Sequence, residues 1–311
     1  MELLRALAVF AEPPVAETAH VAALLGLETP SPAEFADVFL LQLPPYAAIY
    51  LGADGQLGGE AQDRVAGFYG ALGIAVDREP DHLATLLGAY AGLLEAETAA
   101  RVPGGHGGPP SKEHRQRLEG AASSVPILAD PADRVRRART ALLFEHLVSW
   151  LPAYLSAVRR LAPPPLARWA SLLDAVLRAE VRAVPPPAAL PLHLRVAASL
   201  PSPEEGAGAW LDALLAPVRS GVILTRADLA RGARDLGLGL RAGERRFALR
   251  ALLEQSPGPV LSWLAGEAEA SVRRHEDEGG DWPGLAAEWA RRAAVTARTL
   301  RELSIEEPSH A

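Results

Sequence analysis

Cysteine is absent from all 311 residues, which excludes disulfide bridges, thiolate-held metals and a cysteine nucleophile. That absence fits a reducing compartment. Lysine is nearly absent too. Lys112 stands alone and thirty arginines carry the rest of the positive charge. With so much alanine, glycine and proline, this reads first as the coding bias of a GC-rich genome. A phosphate-binding loop needs Gly-Lys-Ser/Thr, and Lys112 instead follows Ser111. His-Glu-x-x-His, paired histidines at metal-ligand spacing and Gly-x-Ser-x-Gly are all missing. Gly237-Leu238-Gly239, followed by Gly243, lacks the strand–glycine–helix setting of a dinucleotide fold. These absences lead us to expect neither a bound metal nor a cofactor, and no enzymatic activity. No stretch of eighteen apolar residues is free of charge and proline. The best run, Ala141 to Val158, contains Glu145, His146 and Pro152, so no membrane span and no stable membrane insertion are expected. Met1 to Phe10 meets Glu12-Pro13-Pro14 too soon for a secretory signal. The expected location is the cytoplasm.

Charge is unevenly spread. Residues 1–100 hold fourteen acids and three bases, a net of −11, and residues 101–200 hold seven acids and fourteen bases, a net of +7. An acidic first third attracts a basic peptide at long range and repels nucleic acid. A merely soluble surface accounts for it equally well.

Helical periodicity dominates and strand alternation is nearly absent, so the expected fold class is all-α. Helices are expected near 3–10, 18–27, 32–43, 60–72 and 77–94, the last opened by Pro80. Ser31-Pro32-Ala33-Glu34 has the chemistry of a helix start, with serine as N-cap, proline at the first position and glutamate at the third. Residues 101–126 begin Val102-Pro103-Gly104-Gly105 and run on into a charged stretch that cannot bury enough to order itself. We read them as a flexible linker between an N-terminal helical half, 1–100, and a second half, 127–200. A long helix over 131–159, bent at Pro152, and another over 166–184 fill the second half. Five arginine-rich helices over 204–303 form an extension, 201–311, of unassigned role.

Three short runs carry the chemistry. Glu79-Pro80-Asp81-His82-Leu83 gathers two acids and a titratable ring at a helix start, where the helix dipole favours anions. His82 falls at the edge of the apolar stripe, and packing at an ordinary helix start is the competing reading. Pro45-Tyr46-Ala47-Ala48-Ile49-Tyr50-Leu51 places two tyrosines and a leucine where they can wall a peptide groove or fill the core. His146 and Trp150 sit four apart on one predicted helical face, where core packing is the default.

In that order the three runs resemble the TorD/DmsD/NarJ family of cytoplasmic chaperones for molybdenum-enzyme maturation. Glu79-Pro80-Asp81-His82 is similar to the family's central Glu-Pro-Asp-His motif. Tyr46-Ala47-Ala48-Ile49-Tyr50 resembles its aromatic-x-Ser-x-aromatic run, with alanine replacing the serine. Gly58-Gly59-Glu60 through Phe68-Tyr69 and His146-x-x-x-Trp150 resemble later segments. The likeness covers roughly residues 1–195. It implies a TorD-like bundle of two helical halves, here with extra C-terminal helices, that forms a monomer or homodimer. It implies binding to a molybdopterin oxidoreductase subunit, through its twin-arginine signal peptide or apo-body, before cofactor insertion and export. Under it Tyr46, Tyr50 and Leu51 become an apolar wall. Glu79 and Asp81 pair with peptide arginines, His82 orients Asp81, and His146 and Trp150 line or support the far side. Two rival readings rest on residues alone. One is a metal-assisted hydrolase using Asp81, His82, Glu145 and His146. The other is an adaptor or nucleic-acid binder presenting Arg241, Arg245, Arg246 and Arg250.

Overall fold

The computed structural model describes residues 1–75, 79–101 and 131–306. Apart from Arg101, the linker expected over 101–126 lies outside the described residues. Those described are all-α, and the one extended contact is an isolated bridge between Tyr46 and His82. In chain order the helices are α1 (Glu2–Ala8), α2 (Ala16–Leu25), α3 (Pro32–Phe35), α4 (Ala47–Leu51), α5 (Gly59–Leu72), α6 (Leu83–Arg101), α7 (Pro131–Ala141) and α8 (Leu151–Leu161). There follow α9 (Pro164–Arg182), α10 (Leu192–Val196), α11 (Ala207–Leu215), α12 (Pro217–Ser220), α13 (Arg226–Asp235), α14 (Arg245–Gln255), α15 (Pro257–Glu278) and α16 (Pro283–Glu306).

The capping box at α3 forms as its sequence dictates. Ser31 Oγ accepts from the Glu34 N–H at 3.2 Å, and Glu34 Oε2 accepts from the Ser31 N–H at 2.8 Å. The helix then widens to π geometry over Ala36–Gln42 and stops before Pro44-Pro45. Two expected boundaries differ. α6 begins at Leu83 rather than at Pro80, because residues 79–82 are held in a turn by contacts with residues 45–48. The bend expected at Pro152 falls earlier, at residues 148–150, after a π segment Leu142–Leu147. Pro152 sits in the first turn of α8, where a missing N–H costs nothing. The α7 and α8 segments together have the length and composition of a membrane span, but they bend by 47° and no single described helix passes that test. Leu142, Leu143, Leu147, Leu151, Leu155 and Val158 are fully buried in the core instead.

One hydrophobic core draws on α1 through α10. Its largest members, Trp150, Trp169, Tyr50, Tyr90, Tyr154 and Phe39, are fully or almost fully buried. Buried aromatics with a polar atom need a partner for it, and here those partners fix helix ends. Trp169 Nε1 donates to the Leu7 carbonyl at 2.9 Å, and Tyr154 Oη to the Leu43 carbonyl at 3.1 Å. Tyr90 Oη donates to Glu180 at 2.8 Å, beside the buried Arg139–Glu97 ion pair at 2.9 Å. These groups tie α6 to α7 and α9.

A second core of leucine, alanine and valine with Trp210 lies within α11–α16. The hairpin of α15 and α16 packs along its length. The two cores meet at a polar and aromatic seam. Trp282, Leu285 and Trp289 of the extension belong to the first core. Trp289 Nε1 donates to the Ser149 carbonyl at 3.1 Å. Arg160 grips the buried Asp228 with both guanidinium nitrogens, and Gln42 accepts from the Ala227 N–H at 3.0 Å. Gly221, at φ +71°, allows the close approach of α16, because a Cβ there would stand 2.7 Å from the Trp289 carbonyl oxygen.

Candidate functional site

The first and second motif runs are clipped together. The Ala47 N–H donates to the Asp81 carbonyl at 3.0 Å and the Leu83 N–H to the Pro45 carbonyl at 2.8 Å. Pro44-Pro45 keeps the approaching chain extended and so available for this pairing. The Asp81 side chain, 0 % exposed, turns inward. Its Oδ2 accepts from the Ala48 N–H at 2.9 Å and its Oδ1 from Gln62 Nε2 at 3.0 Å. Asp81 thus satisfies an otherwise orphaned N–H in the first turn of α4 and links it to α5. Position 48, where the resemblance would place serine, contributes its backbone to this contact.

His82 is 5 % exposed. Its Nδ1 accepts from the Ala84 N–H at 3.3 Å, so the ring caps α6. Glu12 Oε1 lies 3.3 Å from the same nitrogen, and the Tyr46 ring meets the imidazole edge-on at 4.8 Å. Burial holds the His82 pKa below the usual imidazole value, against the opposing pull of Glu12, Glu79 and Asp81. The neutral ring suits the capping role. Tyr46 is half-buried and donates to Glu79 Oε1 at 3.0 Å. Burial, then the Glu79 contact, push its phenol up to about 12.

The remaining expected residues lie deeper. Tyr50 stacks on Trp150 with ring centroids 5.1 Å apart and 7° between planes, and it donates to the Pro44 carbonyl at 3.0 Å. Leu51 is core. Trp150 Nε1 donates to the His146 carbonyl at 2.9 Å, so the two residues meet through the backbone at the α7–α8 break. The His146 ring packs against Phe68 at 5.0 Å and His193 at 6.3 Å. Burial lowers the pKa of both histidines to about 4, and each stays neutral near pH 7. The structure therefore brings Tyr46, Glu79, Asp81 and His82 together, while Tyr50, on the adjoining α4, stacks with Trp150 in the core. Only Tyr46 and Glu79 reach the surface. Asp81, His82, Tyr50, Leu51, His146 and Trp150 are engaged in holding the fold.

Sequence reasoning missed Glu12, Gln62 and His193 as partners of these groups. Each lies far along the chain from the group it meets, and nothing in its local pattern marks the pairing. Glu145, offered to a metal in one rival reading, accepts from the Leu192 N–H at 2.7 Å. Among the described residues no group of three histidines or carboxylates is arranged to hold a metal. Of the arginines offered to a partner, Arg246 pairs with Asp212, Arg250 with Glu254, and the half-buried Arg245 donates to the Leu224 carbonyl.

The clip and the aromatic stack behind it fall inside a recognised family segment. Residues 28–156 match the family model described as nitrate reductase delta subunit. No curated protein and no solved structure matches the chain. The matched residues run from just before α3 into α8 and contain all eight expected site residues. Over residues 28–156, less than half of its length, the chain is similar to the nitrate reductase delta subunit family, the NarJ/TorD-type chaperones of molybdoenzyme maturation.

Proposed function

We propose that the chain is a cytoplasmic assembly chaperone that binds the twin-arginine signal peptide of a molybdopterin oxidoreductase subunit before cofactor insertion and export. The observation that carries this reading is the surface of the clip. Glu12 and Glu79, both exposed, flank the Tyr46 ring above the buried His82, and neither pairs with an arginine among the described residues. Two open carboxylates beside an aromatic face suit guanidinium groups, which accept both ion pairing and ring stacking. The net charge of −11 over residues 1–100 adds long-range attraction for a basic segment. Asp81 and His82 act from beneath, fixing the loop that carries Glu79 and Tyr46. In this reading residues 1–200 form the chaperone body in two halves, and residues from 201 onward are a helical buttress docked on it.

Titration calorimetry with a twin-arginine signal peptide tests the proposal. Glu12→Gln with Glu79→Gln is expected to weaken binding by roughly tenfold, since exposed ion pairs contribute up to about 1 kcal/mol each. The melting temperature should stay near that of the parent. Unchanged affinity would remove the clip surface as the site. A parent protein that fails to bind the peptide would remove the signal-peptide reading itself.

A further inference from the structure

A groove of about 480 Å³ lies between the family segment and the extension. One wall comes from residues 41–57, including Ile49 and Tyr50 of the motif helix α4, and the other from residues 212–246. Its apolar lining includes Leu41, Leu43, Ile49, Leu57, Leu215 and Ile223. Leu41 and Leu57 are 51 % and 63 % exposed, and Leu40 next to them is 63 % exposed. Leucines so open beside a groove are costly to leave in water unless something covers them.

The polar lining is unusual in how its charges are matched. Arg246 is paired with Asp212. Arg226 donates to the Gly243 carbonyl, and Arg245 Nη1 donates to the Leu224 carbonyl at 2.8 Å. Neither Arg226 nor Arg245 forms an ion pair among the described residues. Burial lowers the Arg245 pKa; Tyr50 opposes that effect and the nearby Arg226 charge adds to it. The other acids on the walls, Asp54 and Glu244, form no ion pair with Arg226 or Arg245 among the described residues. Asp54 Oδ1 accepts from the Gln56 N–H at 3.1 Å, and Glu244 is the exposed residue preceding α14. Two half-buried guanidinium groups with only neutral carbonyl acceptors retain most of their capacity for a carboxylate.

We infer that this groove docks an apolar peptide segment carrying one carboxylate side chain, with the acid held between Arg226 and Arg245 and the apolar residues against Leu41, Leu57 and Leu215. The charge preference is opposite to that of the clip surface, so the two sites select different parts of a bound polypeptide. The extension then has a defined task, because one wall of the groove is built from it. The inference rests on the chaperone reading only in taking the ligand for a peptide.

The full-length chain should be titrated calorimetrically with two acetylated, amidated peptides, Leu-Ala-Leu-Glu-Leu-Ala and the same sequence with glutamine for glutamate. The glutamate peptide is expected to bind about tenfold tighter or more, as charge-assisted hydrogen bonds usually allow. Arg226→Gln, at a half-buried position, is expected to abolish that preference while leaving the melting temperature and the affinity for a twin-arginine peptide unchanged. Equal affinities for the two peptides, binding of neither, or a preference that survives Arg226→Gln would each overturn the inference. Loss of twin-arginine binding with the glutamate preference intact would instead count against the signal-peptide reading alone.

Discussion

The family segment and the C-terminal extension solve the same packing problem with different materials. In the first core Tyr50, Trp150, Trp169 and Tyr154 are large rings whose polar atoms donate to backbone carbonyls. The second core is mostly leucine and alanine between regular helices. Its most demanding aromatics, Trp282 and Trp289, are used at the seam rather than within it. Rings with fixed hydrogen bonds specify a single arrangement, whereas aliphatic layers tolerate repacking. The segment with the distinctive motifs is thus also the one with the least freedom to rearrange, and the extension borrows that rigidity through its two tryptophans.

The sharpest way to break this contrast is Trp289→Ala. It removes a fully packed ring and leaves the Ser149 carbonyl without its donor, so a loss of about 3–5 kcal/mol is expected in chemical denaturation. If the seam makes the two cores one cooperative unit, the unfolding transition should also split in two. A single transition with a small shift would show the cores to be coupled elsewhere. Asp81→Ala comes next, at about 2–4 kcal/mol, because the Ala48 N–H and the Gln62 amide lose a buried acceptor. Asp81→Asn retains one acceptor and should recover part of that loss in the same assay.

Acid should act on the first core through two buried histidines. His146 and His193 have folded pKa values of about 4 against about 6.5 when unfolded. The unfolded chain therefore takes up more protons between those values. Stability is full above pH 6.5 and falls as the pH drops toward 4, by roughly 1 kcal/mol for each histidine by pH 5.5. Melting curves from pH 7 to 5 in the parent and in His146→Leu test this, with a flatter profile expected in the variant. The smallest effects compare two capping boxes. Ser31 and Glu34 are exposed, while Thr225 and Asp228 are buried beneath Arg160. Ser31→Ala should cost about 1 kcal/mol and Thr225→Ala nearer 2, and equal losses would mean burial adds nothing to the cap.

Local chemistry made some of this legible in the sequence. Ser31 to Glu34 announces a helix start through groups only three residues apart. The all-α class was legible for the same reason. Pro80 misled because its local preference for a first helical turn yields to pairing with Pro45 and Ala47, some thirty-five residues away. Pro152 misled in a similar way, since the chain breaks three residues earlier, where Trp150 turns to meet Tyr50. The motif residues were found by their pattern, and core packing was the default reading for His146 and Trp150, but the full burial of Asp81 was not legible. Whether His82 faces solvent depends on Glu12 and Tyr46, and the partner of Asp228 is Arg160, sixty-eight positions upstream. Periodicity carries no information about such pairings.

Arg292 gives the seam a further consequence. Its buried guanidinium reaches the carbonyls of Leu194 and Val218 at once, while its Nε holds Glu288. One side chain on α16 therefore ties together the chain just before residue 200, the start of the extension and its final helix. Pruning the protein near residue 200 would strip this knot away and bare a scar of tryptophan-shaped hollows, so a trimmed version should clump in solution rather than persist as a smaller independent fold.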